Sequence, residues 1–163
     1  MKNQDEFVRD WIESHGTVSK VCAWLRRIGV EAFLRPPSLR PTEAERWEFS
    51  DDGDIAIVED CQIKRVEVKT RNLEFTTRET YPYDSVFVDE TYHVDRLDHI
   101  PLLAYVIVSR DRMHCCVIPA HTRGQWEKVT VHDASQGRDC TNYAADPDLC
   151  DWRRLDEAPH RGS

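Results

Sequence analysis

Between residues 5 and 28 the apolar positions Phe7, Trp11, Val18, Val21, Cys22, Leu25 and Ile28 recur at helical intervals. Gly16-Thr17 interrupts them, and Thr17 can cap a new helix. The pattern therefore fits two helices (5–14 and 18–28) as well as one helix with a kink. Arg26 and Arg27 followed by Gly29 form a stop signal, since cations suit a helix C-terminus and glycine accepts the left-handed cap. The period then changes to two. Residues 30–34 read as a strand. Arg35-Pro36-Pro37-Ser38-Leu39-Arg40-Pro41 reads as a loop, because prolines lack the N–H and fix φ. Residues 52–58 and 63–69 alternate apolar and polar across the turn sequence Glu59-Asp60-Cys61-Gln62, which predicts a hairpin. Further on, 85–89 reads as a strand and 91–99 as a short helix stopped before Pro101. Residues 102–108 are continuously apolar, as in a central strand covered on both faces. A turn at 109–112 leads to a partner strand, 113–118, then to a short turn or helix at 121–126 and an edge strand at 127–131. From 132 to 163 the periodicity fades amid Gly137, Asn142, Pro147 and Pro159. That stretch predicts a loop-rich C-terminal tail anchored by Tyr143 and Trp152. The whole order predicts an α/β (α+β) protein, with a mixed central β-sheet flanked by helices in one domain over 1–163.

The hairpin carries the candidate chemistry. With a loop of two or four residues, Val58 pairs near Ile63 and Asp54 lands directly opposite Glu67. Lys69 projects from the same face, about 6.6 Å further along the strand. Ile55, Ile57, Val66 and Val68 point the other way, toward a core. Carboxylates so opposed have Cβ atoms about 5 Å apart and repel. A hard divalent cation between them relieves the repulsion, and carboxylate oxygens are what Mg²⁺ prefers. An ammonium beside such a cation suits the handling of a phosphate and an attacking water. Asp51 and Asp52 are alternative carboxylates, but the register favours Asp54.

Gly53-Asp54 followed by Glu67-Val68-Lys69 resembles the bipartite motif of the PD-(D/E)xK nuclease superfamily, over roughly residues 5–120. Gly53 stands where that motif often has proline. The whole chain also resembles small phage-encoded members of the superfamily. The resemblance implies a restriction-endonuclease-like fold and a Mg²⁺-dependent deoxyribonuclease, with Mn²⁺ able to substitute. It assigns Asp54 and Glu67 as metal ligands, the Val68 carbonyl as a further ligand, and Lys69 as the group that orients or activates the water. An acidic residue of the first helix, Glu6 or Glu13, can also join the metal by this resemblance, although a solvated helix carboxylate is the reading the residues favour. DNA is the implied partner, and a homodimer is in keeping with it because cutting two strands takes two sites.

Arg35, Arg40 and Arg46, with Trp47 nearby, can contact phosphates and a base, or can be ordinary exposed loop residues. The polar stretch 70–83 offers Arg71, Arg78, Tyr81 and Tyr83 for the same purpose. Asp89-Glu90 can add a carboxylate to the site, though an acid pair at a helix N-terminus is the favoured reading. His93 can serve as a base, but a surface helix histidine is favoured.

Composition then weighs on these readings. A net charge of −8 argues against a protein that coats nucleic acid nonspecifically. It supports an alternative class, a non-catalytic nuclease-fold module that binds DNA or a protein partner, or inhibits by mimicking DNA. A third reading is a structural domain on which Asp54, Glu67 and Lys69 form a solvated charged face. No apolar run approaches the ~18 residues of a membrane span, and the charged start (Lys2, Asp5, Glu6) lacks a signal-peptide core. The expected location is the cytoplasm, or the host cytoplasm for a phage protein. The six cysteines show no CxxC spacing and read as reduced, mostly buried thiols. Zinc held by Cys140, Cys150 and His132 would lack the usual ligand spacing. No P-loop, Rossmann glycine pattern, HExxH or GxSxG occurs.

Overall fold

Two sheets and two α-helices organise the described residues of the computed structural model, which are 4–35, 54–96 and 100–157. The first helix, α1 (Gln4–Arg27), runs unbroken through Gly16. Thr17 does not cap a second helix: its hydroxyl donates back to the Glu13 carbonyl at 3.2 Å, a bond made inside a continuing helix. The stop signal acts as expected. Gly29 takes φ +93°, its N–H donates to the Arg26 carbonyl, and the Val30 N–H donates to the Leu25 carbonyl. That pair of bonds is the Schellman arrangement, which satisfies the helix's last carbonyls.

The strands follow as β1 (Ala32–Leu34), β2 (Ile55–Glu59), β3 (Gln62–Thr70), β4 (Val86–Glu90), β5 (Leu102–Val108), β6 (His114–Pro119), β7 (Glu127–Asp133), β8 (Arg138–Ala145) and β9 (Asp151–Arg154). A short helix, α2 (Thr91–Asp95), follows β4 directly. The large sheet has six strands in the order β1-β2-β3-β5-β6-β9, and the small one is β4-β8-β7. Only β3 and β5 pair in parallel among these strands, so the sheet is mixed and the protein is α+β. The crossover from β3 to β5 carries β4 and α2.

β5 explains the layering, because its apolar run is buried on both faces as its sequence predicts. Val106 and Val108 face α1, where they join Val21, Cys22, Trp24, Leu25, Ile55, Ile57 and Val66 in one core. Tyr105 and Ile107 face the small sheet, where Phe75, Val86, Val88, Val94, Trp126 and Ala145 form a second core. The layers are thus helix, large sheet, small sheet. On the second face, Phe33 and Ile63 at the β1–β3 end remain exposed. The polar side chains of β3 therefore stand where the cover given by the small sheet ends.

The stretch from 132 onward departs from expectation. It is not a loop-rich wrap: β8 is the middle strand of the small sheet and β9 is an edge of the large one. Tyr143 and Trp152 do act as anchors, Tyr143 against Trp126 and Trp152 against Phe75 and Tyr81. All six cysteines are free. No helix among the described residues is long and apolar enough to cross a membrane.

Candidate functional site

The β2–β3 hairpin sets the geometry. Its two-residue turn is Asp60-Cys61, both left-handed at φ +50° and +61°, the backbone of a type I′ turn. Val58 pairs with Ile63 and Glu59 with Gln62, the register predicted from the alternation. Continued one step past Ile55↔Val66, that register sets Asp54 opposite Glu67. Asp54 is tied in from both sides. Its carbonyl accepts from the Arg35 N–H at 3.2 Å, and its Oδ2 accepts from the Val68 N–H at 2.7 Å. The N–H and C=O of a strand residue point to the same edge, so the Val68 carbonyl faces the same side of β3 as Asp54 does.

Glu67 and Lys69 project from one face of β3 and each meets an opposite charge. Glu67 Oε1 accepts from the Arg65 guanidinium at 2.6 Å. Arg65 is only 5% exposed, and its Nε donates to the Ile100 carbonyl at 3.0 Å. This is a buried ion pair, in which Coulomb attraction and the extra hydrogen bond offset part of the cost of lost hydration. Lys69 Nζ lies 3.2 Å from Asp89 Oδ2, contributed by β4.

Asp89 is the hub of this wall. Its Oδ1 accepts from the Glu90 N–H at 2.9 Å and lies 3.3 Å from His93 Nδ1. Its Oδ2 also accepts from the Tyr105 hydroxyl at 3.5 Å. Burial pushes the Asp89 pKa up, but the His93 hydrogen bond and the Lys69 charge outweigh it and hold the carboxyl down at about 2. Burial, with the Asp89 and Glu67 carboxylates nearby, pushes the Tyr105 phenol well above its usual range, so it acts as a neutral donor. Tyr105 is the β5 register partner of Glu67, which brings Glu67, Tyr105, Asp89 and Lys69 into one continuous cluster.

The other candidates scatter. Glu13 is exposed and pairs with Arg112 at 3.6 Å, on the helix that covers the opposite face of the sheet, so the structure does not bring it to Asp54 and Glu67. The Glu6 side chain lies outside the described residues, as do Arg40, Arg46 and Trp47. Arg35 sits next to Asp54 through its backbone bond. Arg71 is turned inward: its guanidinium donates to the Val88 carbonyl at 3.1 Å and the Phe87 carbonyl at 3.4 Å, so it ties β3 to β4 rather than facing a ligand. Arg78 is exposed and paired with Asp148, and Tyr83 is exposed with its ring edge toward Tyr81. The residues weighed and disfavoured for zinc are not grouped among the described residues. His132 is exposed and bonded to Asp139, Cys140 is buried on the opposite side of the hairpin, and the Cys150 thiol donates to the Asp146 carbonyl. Among the described residues no three His, Cys, Asp or Glu side chains are grouped as a ready-made metal centre.

Arg65 and Tyr105 were not singled out by the sequence. A signal for Arg65 exists, since opposite charges two apart on a strand share a face. Tyr105 had only its polar tip inside an apolar run to mark it. No protein-family model matches the chain, and no curated protein matches it.

Proposed function

We propose that this chain is a divalent-metal-dependent phosphodiesterase that hydrolyses DNA, built on a restriction-endonuclease-like fold. The observation that carries this reading is the hairpin register, which aligns Asp54 with Glu67 and sets Lys69 on the same face. The order of helix, strand, acidic hairpin, strand, helix, strand and strand supports the fold assignment.

The donor set fits Mg²⁺ or Mn²⁺. Two carboxylates and the Val68 carbonyl supply hard oxygens, and Mg²⁺ typically takes one or two carboxylates and keeps several waters. Bound there, the ion would neutralise charge on the phosphate and lower the pKa of a bound water. Lys69 would orient the attacking water and stabilise the charge that builds on phosphorus, because Asp89 fixes its ammonium on the site face. Arg65 would hold the Glu67 carboxylate in position. Cutting both strands of a duplex would take two copies of the chain.

A second reading, a non-catalytic module that binds DNA or a protein partner, is favoured by the net charge of −8 and by the buried pairing of Glu67 with Arg65. Titration calorimetry of Mg²⁺ and Mn²⁺, run beside plasmid and oligonucleotide cleavage, separates the two. The wild type should bind and cleave, and Glu67→Gln should do neither; Gln is preferred to Ala because it leaves Arg65 a polar partner. Lys69→Ala should keep the metal and lose about 10²–10³-fold in cleavage. A wild type that binds no metal even with DNA present would move the assignment to the binding module.

A further inference from the structure

We propose that His93 is the proton acceptor for the attacking water, held in place by Asp89 beside Lys69; this rests on the phosphodiesterase reading above. Lys69 is committed to Asp89, with its Nζ 3.2 Å from Oδ2, and serves there as a donor. General-base attack by water calls for a proton acceptor on the same wall.

The β4–α2 junction supplies one. The strand ends at Glu90 and the helix starts at Thr91, so Asp89 and His93 face each other four residues apart. The two oxygens of Asp89 divide their partners, His93 on Oδ1 at 3.3 Å and Lys69 on Oδ2 at 3.2 Å. A neutral imidazole that donates from Nδ1 carries its lone pair on Nε2, the nitrogen on the far edge of the ring from Asp89. The Tyr92 ring packs on the imidazole at 4.1 Å between centroids and limits its rotation. The His93 side chain is 42% exposed, which admits water and substrate. Glu90 does not compete for it, because Arg138 engages that carboxylate at 3.1 Å.

The step balances without another reactant. His93 Nε2 takes a proton from water as the water oxygen bonds to phosphorus. The bond from phosphorus to the leaving ester oxygen breaks, that oxygen takes a proton from solvent, and the imidazolium returns its own to solvent. Water and a diester become an alcohol and a phosphomonoester.

The test measures cleavage of a supercoiled plasmid and of single- and double-stranded oligonucleotides by the full chain, with Mn²⁺ titrated separately. His93→Ala should lower kcat by about 10²–10³-fold, leave Mn²⁺ affinity unchanged, and recover in part with free imidazole. His93→Gln keeps a hydrogen bond to Asp89 but has no basic nitrogen, and it should be as slow. Full activity in His93→Gln, or a loss in His93→Ala that imidazole does not restore, overturns the assignment of His93. If instead the wild type neither binds Mn²⁺ nor cleaves, or Glu67→Gln cleaves normally, the phosphodiesterase reading falls and this one with it.

Discussion

Asp89 joins several parts of the candidate site, because its two oxygens address β3, β5 and α2 at once. A buried carboxylate this well partnered makes stability depend on pH. The Asp89 pKa of about 2 lies below the ~3.9 of a free aspartate. The stabilisation is therefore complete above pH ~4 and is lost as pH falls through ~2. A shift of that size corresponds to about 2 kcal/mol. Urea unfolding of the wild type should show that loss between pH 5 and pH 2, and Asp89→Asn should lack it. An equal acid sensitivity in both proteins would mean that Asp89 is not ionised against Lys69. Sequence alone marked Asp89 as an available carboxylate, but pairing it with Lys69 needs the small sheet folded over the large one. For the same reason Tyr105 stayed hidden, since its partner Asp89 lies 16 residues away; Arg65 had a local signal in Glu67, two residues on, while its bond to the Ile100 carbonyl spans 35 residues.

The hairpin is the element in which sequence and structure agree most closely, and the reason is local. Alternation decides which side chains share a face, and the turn length decides the register. Both are visible in a short window. The expectation failed where the signal was weak. β9 has only four residues, Asp-Trp-Arg-Arg, and β8 mixes Thr, Asn and Tyr with small apolar residues, so neither shows a persistent period. α1 was ambiguous at Gly16-Thr17 because a threonine can cap a helix or bond back within it, and packing on the sheet decides which. The turn itself can be improved. Cys61 is exposed at φ +61°, a conformation that costs a residue with a Cβ about 1 kcal/mol and costs glycine little. Cys61→Gly should stabilise the protein by about 0.5–1 kcal/mol and Cys61→Val should destabilise it, read as opposite shifts in melting temperature. A Gly variant less stable than the Val variant would contradict the type I′ assignment.

Over the whole molecule, the candidate site lies where two sheets meet, so its geometry depends on whatever locks the layers together. β9 is one such lock outside the site. Leu155, just past the strand, is fully buried in the core that α1 covers, and its N–H donates to the Met113 carbonyl at 2.8 Å. Arg27 of α1 donates to the Leu155 carbonyl, and the Arg153 guanidinium lies 5.6 Å from the Trp24 ring centroid. Trp152 points to the other side and packs its ring against Phe75 and Tyr81. One short strand therefore fastens the helix layer, the edge of β6 and the second core. Leu155→Ala should cost about 2–5 kcal/mol, because a side chain so enclosed leaves a cavity when truncated. Removing 151–163 should do more, since it strips the pairing from β6 and leaves an apolar strand edge open to association. Denaturant melts and size-exclusion chromatography read both effects. Because β9 contributes no side chain to the candidate site, Leu155→Ala should lose cleavage only in proportion to its unfolded fraction. A Leu155→Ala protein that stays folded but loses its activity would instead place β9 within the chemistry, and a truncated chain that melts like the wild type would show that the layers hold without it.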